Sequence, residues 1–235
     1  MRSLLCLSLC VLLAACSGSS ESVSPTAPIR QVRVDWLGYE TFRITSSLGL
    51  KIVTNPYGSS IGSLPSDLKT DVLLITTEKP AFNNTDGIQN TPATFRGPVG
   101  VGSHSFGGIG FRGVPTTDTR TGTTNLAFAW TVDGIRMCFL GNQPTPFTPY
   151  DLSLLGTVDV LFVPVGVAGG PSEDVRVQII SQIRPRVIIP MGPTGAVNNW
   201  AANLPIVHPV QGPSVFLSRN KLPLEPVVLL LSSRL

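Results

Sequence analysis

Residues 71–84 read Asp71-Val72-Leu73-Leu74-Ile75-Thr76-Thr77-Glu78-Lys79-Pro80-Ala81-Phe82-Asn83-Asn84. Asp71 to Thr76 is an apolar run that reads as a buried strand, and Thr77 to Asn84 is the Pro-broken loop that leaves it. The side chains of that loop decide which chemistry the end of the strand supports. Thr77, Glu78, Lys79, Ala81 and Phe82 stand there, with no histidine or cysteine among them.

The same punctuation runs through the chain. Its 23 glycines and 21 prolines separate many short apolar or alternating runs, as in a strand-rich protein with tight turns. Further strands are expected over 31–36, 41–46, 50–55, 108–114, 125–132, 135–140, 158–165, 187–190, 214–218 and 226–231. Asp133-Gly134 is a type I′ hairpin signal, and Leu48-Gly49 marks another turn. Gly107-Gly108-Ile109-Gly110 reads as tight turns, because no Gly-Lys-Ser/Thr follows it as a phosphate loop requires.

Two helices can be placed. Thr148 offers a cap, Pro149 a first helical residue and Asp151 an acid three positions after the cap, so a short helix runs to about Leu155. The second begins near Ser172, carries Glu173 and Asp174 in its first turn, and stops at Pro185. Strand, helix and strand over 158–190 form one right-handed crossover unit.

The N-terminus has Arg2, then an apolar run from Leu4 to Ala15, which is a secretory signal pattern too short for a membrane span. Leu13-Ala14-Ala15-Cys16 resembles a bacterial lipobox, which implies lipidation at Cys16. An ordinary signal with an incidental cysteine is the other reading. The expected organisation is a signal peptide over 1–15, a lipidated flexible tether over 16–29 and one domain over 30–235. Ser17, where an inner-membrane retention signal would have aspartate, points to the outer membrane of a Gram-negative cell envelope.

Without the leader, Cys138 is the one remaining cysteine, so no internal disulfide and no thiolate cluster for zinc can form. It reads as a small buried hydrophobe. Of 17 basic side chains Arg2 leaves with the leader, so the domain, with 14 acidic ones, is close to neutral and gives no sign of nucleic-acid binding.

Several stretches in matching order resemble the metallo-β-lactamase superfamily, in the branch similar to ascorbate-6-phosphate lactonase and N-acylphosphatidylethanolamine phospholipase D. They are Trp36-Leu37-Gly38 with Phe42-Arg43-Ile44, Asn55-Pro56-Tyr57, Phe111-Arg112-Gly113-Val114, Asp133-Gly134 to Gly141-Asn142, and Ile189-Pro190-Met191-Gly192. The resemblance implies an α/β, strand-rich αββα sandwich of two mixed β-sheets with outer helices. It also sets the H-x-H-x-D-H metal motif on the loop after Ile75. Thr77, Lys79, Ala81 and Phe82 then stand at four ligand positions, Asp118 at the third histidine, Asn142 at the bridging aspartate and Gly192 at the last histidine.

Of these only Asp118 keeps a ligating side chain. Alanine, phenylalanine and glycine offer no donor atom, and a lysine ammonium has no free lone pair. The family would use zinc or manganese; here no metal or other cofactor is expected. Lys79 is expected either to pair internally with Asp118 or Glu78 or to point to solvent. Phe82 is expected to plug the old cleft.

His104, in a Gly/Ser-rich turn, and His208, in a Pro-flanked loop, read as surface residues, and no Gly-x-Ser-x-Gly nucleophile elbow occurs. Gly166 to Gly170, before the second helix, could line an anion pocket. The expected function is a membrane-anchored, non-catalytic binding or scaffolding protein, partnered by the membrane through Cys16 and by an envelope protein or small ligand. The alternative is a divergent phosphodiesterase- or lactonase-type hydrolase with a rebuilt site, drawing on Asp118, Glu78, Lys79 and Asn142.

Overall fold

Alternation of apolar and polar side chains turns the runs into strands, and the computed structural model describes them over residues 30–117, 122 and 124–233. In chain order the elements are β1 (Val32–Gly38), β2 (Thr41–Thr45), β3 (Lys51–Thr54), β4 (Val72–Leu74), β5 (Ala93–Phe95), β6 (Gly102–Phe106), β7 (Ile109–Thr117), β8 (Thr124–Val132), β9 (Ile135–Phe139), α1 (Pro149–Leu155), β10 (Val160–Pro164), α2 (Glu173–Ile183), β11 (Val187–Met191), α3 (Thr194–Ala201), β12 (Val207–Pro209), β13 (Ser214–Leu217) and β14 (Val227–Leu230). Cys16 and Asp118 lie outside the described residues.

One sheet has the order β13-β1-β2-β3-β4-β5 and the other β12-β14-β11-β10-β9-β8-β7-β6. Both are mixed: β13 to β3 pair antiparallel and β3 to β5 parallel, while β12 to β9 pair parallel and β9 to β6 antiparallel. Every residue of β10 and β11 is buried, which is why both read as continuous apolar runs. β8 shows the other pattern. Its Leu126, Phe128, Trp130 and Val132 face the inter-sheet core, whereas Ala127 and Ala129 face the helix side.

The sheets meet on an aromatic cluster. Phe162 of β10 lies edge-on to Phe42 of β2 at 4.9 Å between ring centres and is flanked by Phe139 and Trp130, so one ring ties the two layers together. Cys138 is fully buried, and burial pushes its thiol up to about 12, as befits a core hydrophobe.

Helices form where caps were expected. Thr148 and Asp151 make a reciprocal capping box, and Ser172 caps α2 by accepting from the Val175 amide. Arg184 ends α2 in the left-handed region, just before Pro185. α2 joins β10 to its parallel neighbour β11, which completes the crossover unit. Both Asp133 and Gly134 have positive φ, 48° and 77°, as a type I′ turn requires.

Three short strands and one helix depart from the expectation. β5, β6 and β12 carry little apolar alternation, and α3 has Pro193 at its cap with no side-chain hydrogen bond. β6 is recruited by its partner: Gly107 and Gly108, at φ 55° and 79°, fold it back on β7. His104 is therefore a strand residue, not part of a turn. It stacks on Phe95 at 4.6 Å and closes that edge of the sandwich. His208 is exposed, as expected, but on edge strand β12 rather than in a loop.

The outer helices are also one-sided. The α1 and α2 residues Leu155 and Ile179 join the cluster on the outer face of the second sheet. The outer face of the first is covered by Leu68 from the β3–β4 connection and Ile88 from the β4–β5 connection, and the helical content of these connections is limited to two 3-10 turns in the second.

Candidate functional site

The C-terminal ends of β3 and β4 meet the ends of β8 and β9 through side-chain hydrogen bonds. Asn55, just past β3 at φ 33°, accepts from the Thr76 amide at 2.8 Å and donates to Thr76 Oγ1 at 2.8 Å and to Glu40 Oε2 at 2.6 Å. Thr76 in turn accepts from the Leu126 amide of the opposite sheet at 2.9 Å. There Asn125 donates to the Leu140 carbonyl and accepts from the Asn142 amide. Gly141, at φ 56°, lets the two halves touch, since a Cβ on it would lie 2.3 Å from Thr76 Oγ1.

Among the described residues, those aligned with the metal motif lie around this clasp and the neighbouring end of β11. Thr77, Phe82 and Asn142 are buried, Ala81 is half-buried and Lys79 is exposed. Lys79 and Asn142 converge on the 166–170 loop: a Cβ on Gly169 would lie 3.5 Å from Lys79 Nζ and 3.8 Å from Asn142 Nδ2. Gly192 donates its amide to the Tyr39 carbonyl at 3.1 Å, which brings the end of β11 against the β1–β2 turn. A Cβ on Gly192, at φ 140°, would lie 2.1 Å from the Val165 carbonyl oxygen.

Lys79 does not pair with Glu78. Parallel strands β4 and β5 send both Glu78 and Arg96 out of the same end, and Arg96 takes the carboxylate, its Nε donating at 3.0 Å. That guanidinium holds the Glu78 carboxyl below its usual range.

Glu40 is the acid whose pKa Lys79 does lower, and the sequence reading missed it. It sits on the β1–β2 turn with no exposed surface. Burial pushes its carboxyl up to about 7, against the opposing pull of the Asn55 hydrogen bond and the Lys79 charge. Asp35, equally buried, goes the other way: desolvation is outweighed by donors from Ser214, Arg33 and Arg43. The number of donors separates the two acids. Glu40 Oε1 and Asn142 Oδ1 are buried acceptors with no donor among the described residues. An acid flanked by Trp36, Leu37 and Phe42 in sequence was the available sign of Glu40.

Because Lys79 is exposed, Lys79→Met is expected to leave the melting temperature within about 2 °C of wild type. It should move the Glu40 titration upward, read by carbon-detected NMR of the carboxyl; an unmoved titration would show that the lysine does not act on Glu40.

With this geometry in place, residues 33–192 match the family described as beta-lactamase superfamily domain. The chain belongs to that superfamily. Among curated proteins none matches its sequence. Its fold resembles a proposed Zn-dependent hydrolase of the metallo-β-lactamase superfamily from Thermotoga maritima, with 21% identity, TM-score 0.68, and coverage of 86% of this chain and all of that one. A proposed metal-dependent hydrolase from Parabacteroides distasonis is similar at 17% identity and TM-score 0.56, over 68% of this chain and 82% of that one. At these identities the likeness is one of fold.

The described residues at the aligned positions do not by themselves supply the ligands of a dinuclear metal centre. Among the described residues no three of His, Cys, Asp or Glu gather, and Ala81, Phe82 and Gly192 supply no donor atom. Of the nearby carboxyls, Glu40 has no exposed surface and is shared with Asn55, and Glu78 is paired with Arg96.

Proposed function

We propose that this chain is a lipid-anchored envelope protein whose metallo-β-lactamase-type domain binds rather than hydrolyses. The observation that carries the reading is Gly192. The backbone has closed on that position until not even a methyl group fits beside Val165, so the site has been repacked and not merely stripped. The hydrogen-bonded Asn55–Thr76–Leu126 clasp supports the same reading, because it ties the ends of the two sheets together where an open cleft would need them apart.

A rebuilt hydrolase needs an acid or nucleophile that substrate can touch; burial withholds Glu40 from that role, and Arg96 occupies the Glu78 carboxylate. Binding needs only surface. A polar groove of about 450 Å³ adjoins the 77–84 loop, with Ser59, Ser60, Asn83, Thr85 and Asp86 offering hydroxyl, amide and carboxylate contacts to a small polar ligand or an envelope partner.

Purified protein incubated with zinc and manganese, then dialysed, is expected to retain less than about a tenth of an equivalent of either by elemental analysis. A full equivalent surviving dialysis would overturn the reading and direct assays to phosphodiester and lactone hydrolysis.

A further inference from the structure

The two edges of the sandwich are unlike. At one, Phe95 of β5 stacks on His104 of β6 and the sheets are sealed. At the other, β13 and the β12–β14 pair leave a groove of about 420 Å³, floored by apolar side chains such as Val215, Leu217 and Leu229. Its rim carries two of the more exposed apolar side chains of the domain: Phe216, 59% exposed, and Leu224, 88% exposed and next to the rim residue Pro223. Cations surround them. Lys221 lines the groove and is exposed, and the Arg33 guanidinium lies 5.8 Å from the Phe216 ring centre. Exposed Arg30 is two residues before Val32, and exposed Glu225 follows Leu224 in sequence. Gln31, also on the rim, is where the chain enters the domain.

We infer that this edge is a docking face for the surface of an anionic phospholipid bilayer. Phe216 and Leu224 enter the headgroup layer and Lys221 and Arg30 meet the phosphates, while Arg33, paired with Asp35, backs the Phe216 ring. The inference rests on the lipid-anchor reading, which sets the bilayer beside this edge: thirteen residues separate Cys16 from Arg30 and span at most about 45 Å. Two apolar side chains and a few cations bind a membrane weakly on their own. A tether makes the second contact intramolecular, at an effective concentration of order millimolar, so weak affinity suffices. Docked this way, the sealed Phe95–His104 edge points away from the bilayer.

The test uses the mature lipidated chain on vesicles with acyl chains brominated near the headgroups, carrying F216W or, as a second reporter, L224W. Both positions are exposed, so neither substitution disturbs packing. On vesicles containing phosphatidylglycerol, the reporter's contribution over the native tryptophans is expected to be quenched at least about twofold, and high salt or pure phosphatidylcholine should remove the effect. Protein that floats with vesicles while both reporters stay unquenched overturns the docking face and leaves the anchor standing. Protein that does not float at all overturns the anchor, and the docking face with it. Reporter emission that shifts blue with protein concentration and without vesicles assigns the edge to a second copy of the chain and overturns the inference.

Discussion

Gly192→His is expected to destabilise the domain strongly rather than rebuild a metal site. The new Cβ falls 2.1 Å from the Val165 carbonyl oxygen, and the backbone angle of 140° is one that only glycine adopts without strain. Strain of about 1–3 kcal/mol adds to an overpacking cost of similar size, and the overlap is with backbone, which has little room to yield. The expected loss is about 4 kcal/mol or more, or roughly 10 °C in melting temperature for a domain of this size. Gly192→Ala should show most of this, since the clash begins at the first side-chain carbon. Urea unfolding of both variants, with zinc content measured alongside, checks the expectation. A stable histidine variant that took up stoichiometric zinc would show that β11 and the 166–170 loop move apart freely, and the repacking argument would fall.

The second large effect concerns Glu40 and pH. Its folded pKa of about 7 lies above the ordinary 4.5, so between those values the folded state holds a proton that the unfolded state has released. Stability therefore falls as pH rises through this window, and the full penalty, about 3 kcal/mol, is present above pH 7. Glu40→Gln keeps an oxygen for Asn55 and removes the charge, so it should gain about 1–3 kcal/mol at pH 8 and almost nothing near pH 4. Asp35 and Asp159 have the opposite sign. Their folded pKa values are depressed despite burial, Asp35 by donors from Ser214, Arg33 and Arg43 and Asp159 by donors from Arg136 and Arg219, so their contribution is lost as pH falls through the folded values. Wild type should thus lose stability on both sides of a mildly acidic optimum, and the Glu40 variant only on the acid side. A Glu40→Gln curve parallel to wild type above pH 5 would mean the carboxyl is not the titrating group.

Much of the sandwich was legible because its central strands obey simple rules. β10 and β11 are apolar throughout, β8 alternates, and Thr148 and Ser172 announce their helices. What stayed hidden depends on contacts distant in sequence. β6 is composed like a turn and becomes a strand only because β7 offers an edge. Glu78 looked available to Lys79, its neighbour, but Arg96 arrives from the adjacent parallel strand. Glu40 was marked in the sequence only by its apolar neighbours, and its partner Asn55 stands 15 residues away. That a loop carrying Thr77, Lys79, Ala81 and Phe82 leaves a buried strand could be read from the sequence. That Gly192 and Gly141 sit against the Val165 carbonyl and Thr76 could not, since a glycine letter carries no information about what presses on it.

The pairing of β1 with β13 sets an order of events. The first strand of the domain lies between β2 and a strand drawn from near the chain's other end, and Ser214 reaches Asp35 across 179 residues of sequence. Contacts of such span close late and slow the search for the native state. Until Ser214–Leu217 has been synthesised, β1 has one bare side and Asp35 lacks a donor. A nascent chain of this topology therefore holds its first strand as an open sheet edge until β13 arrives, and an open edge is a template for pairing with another chain.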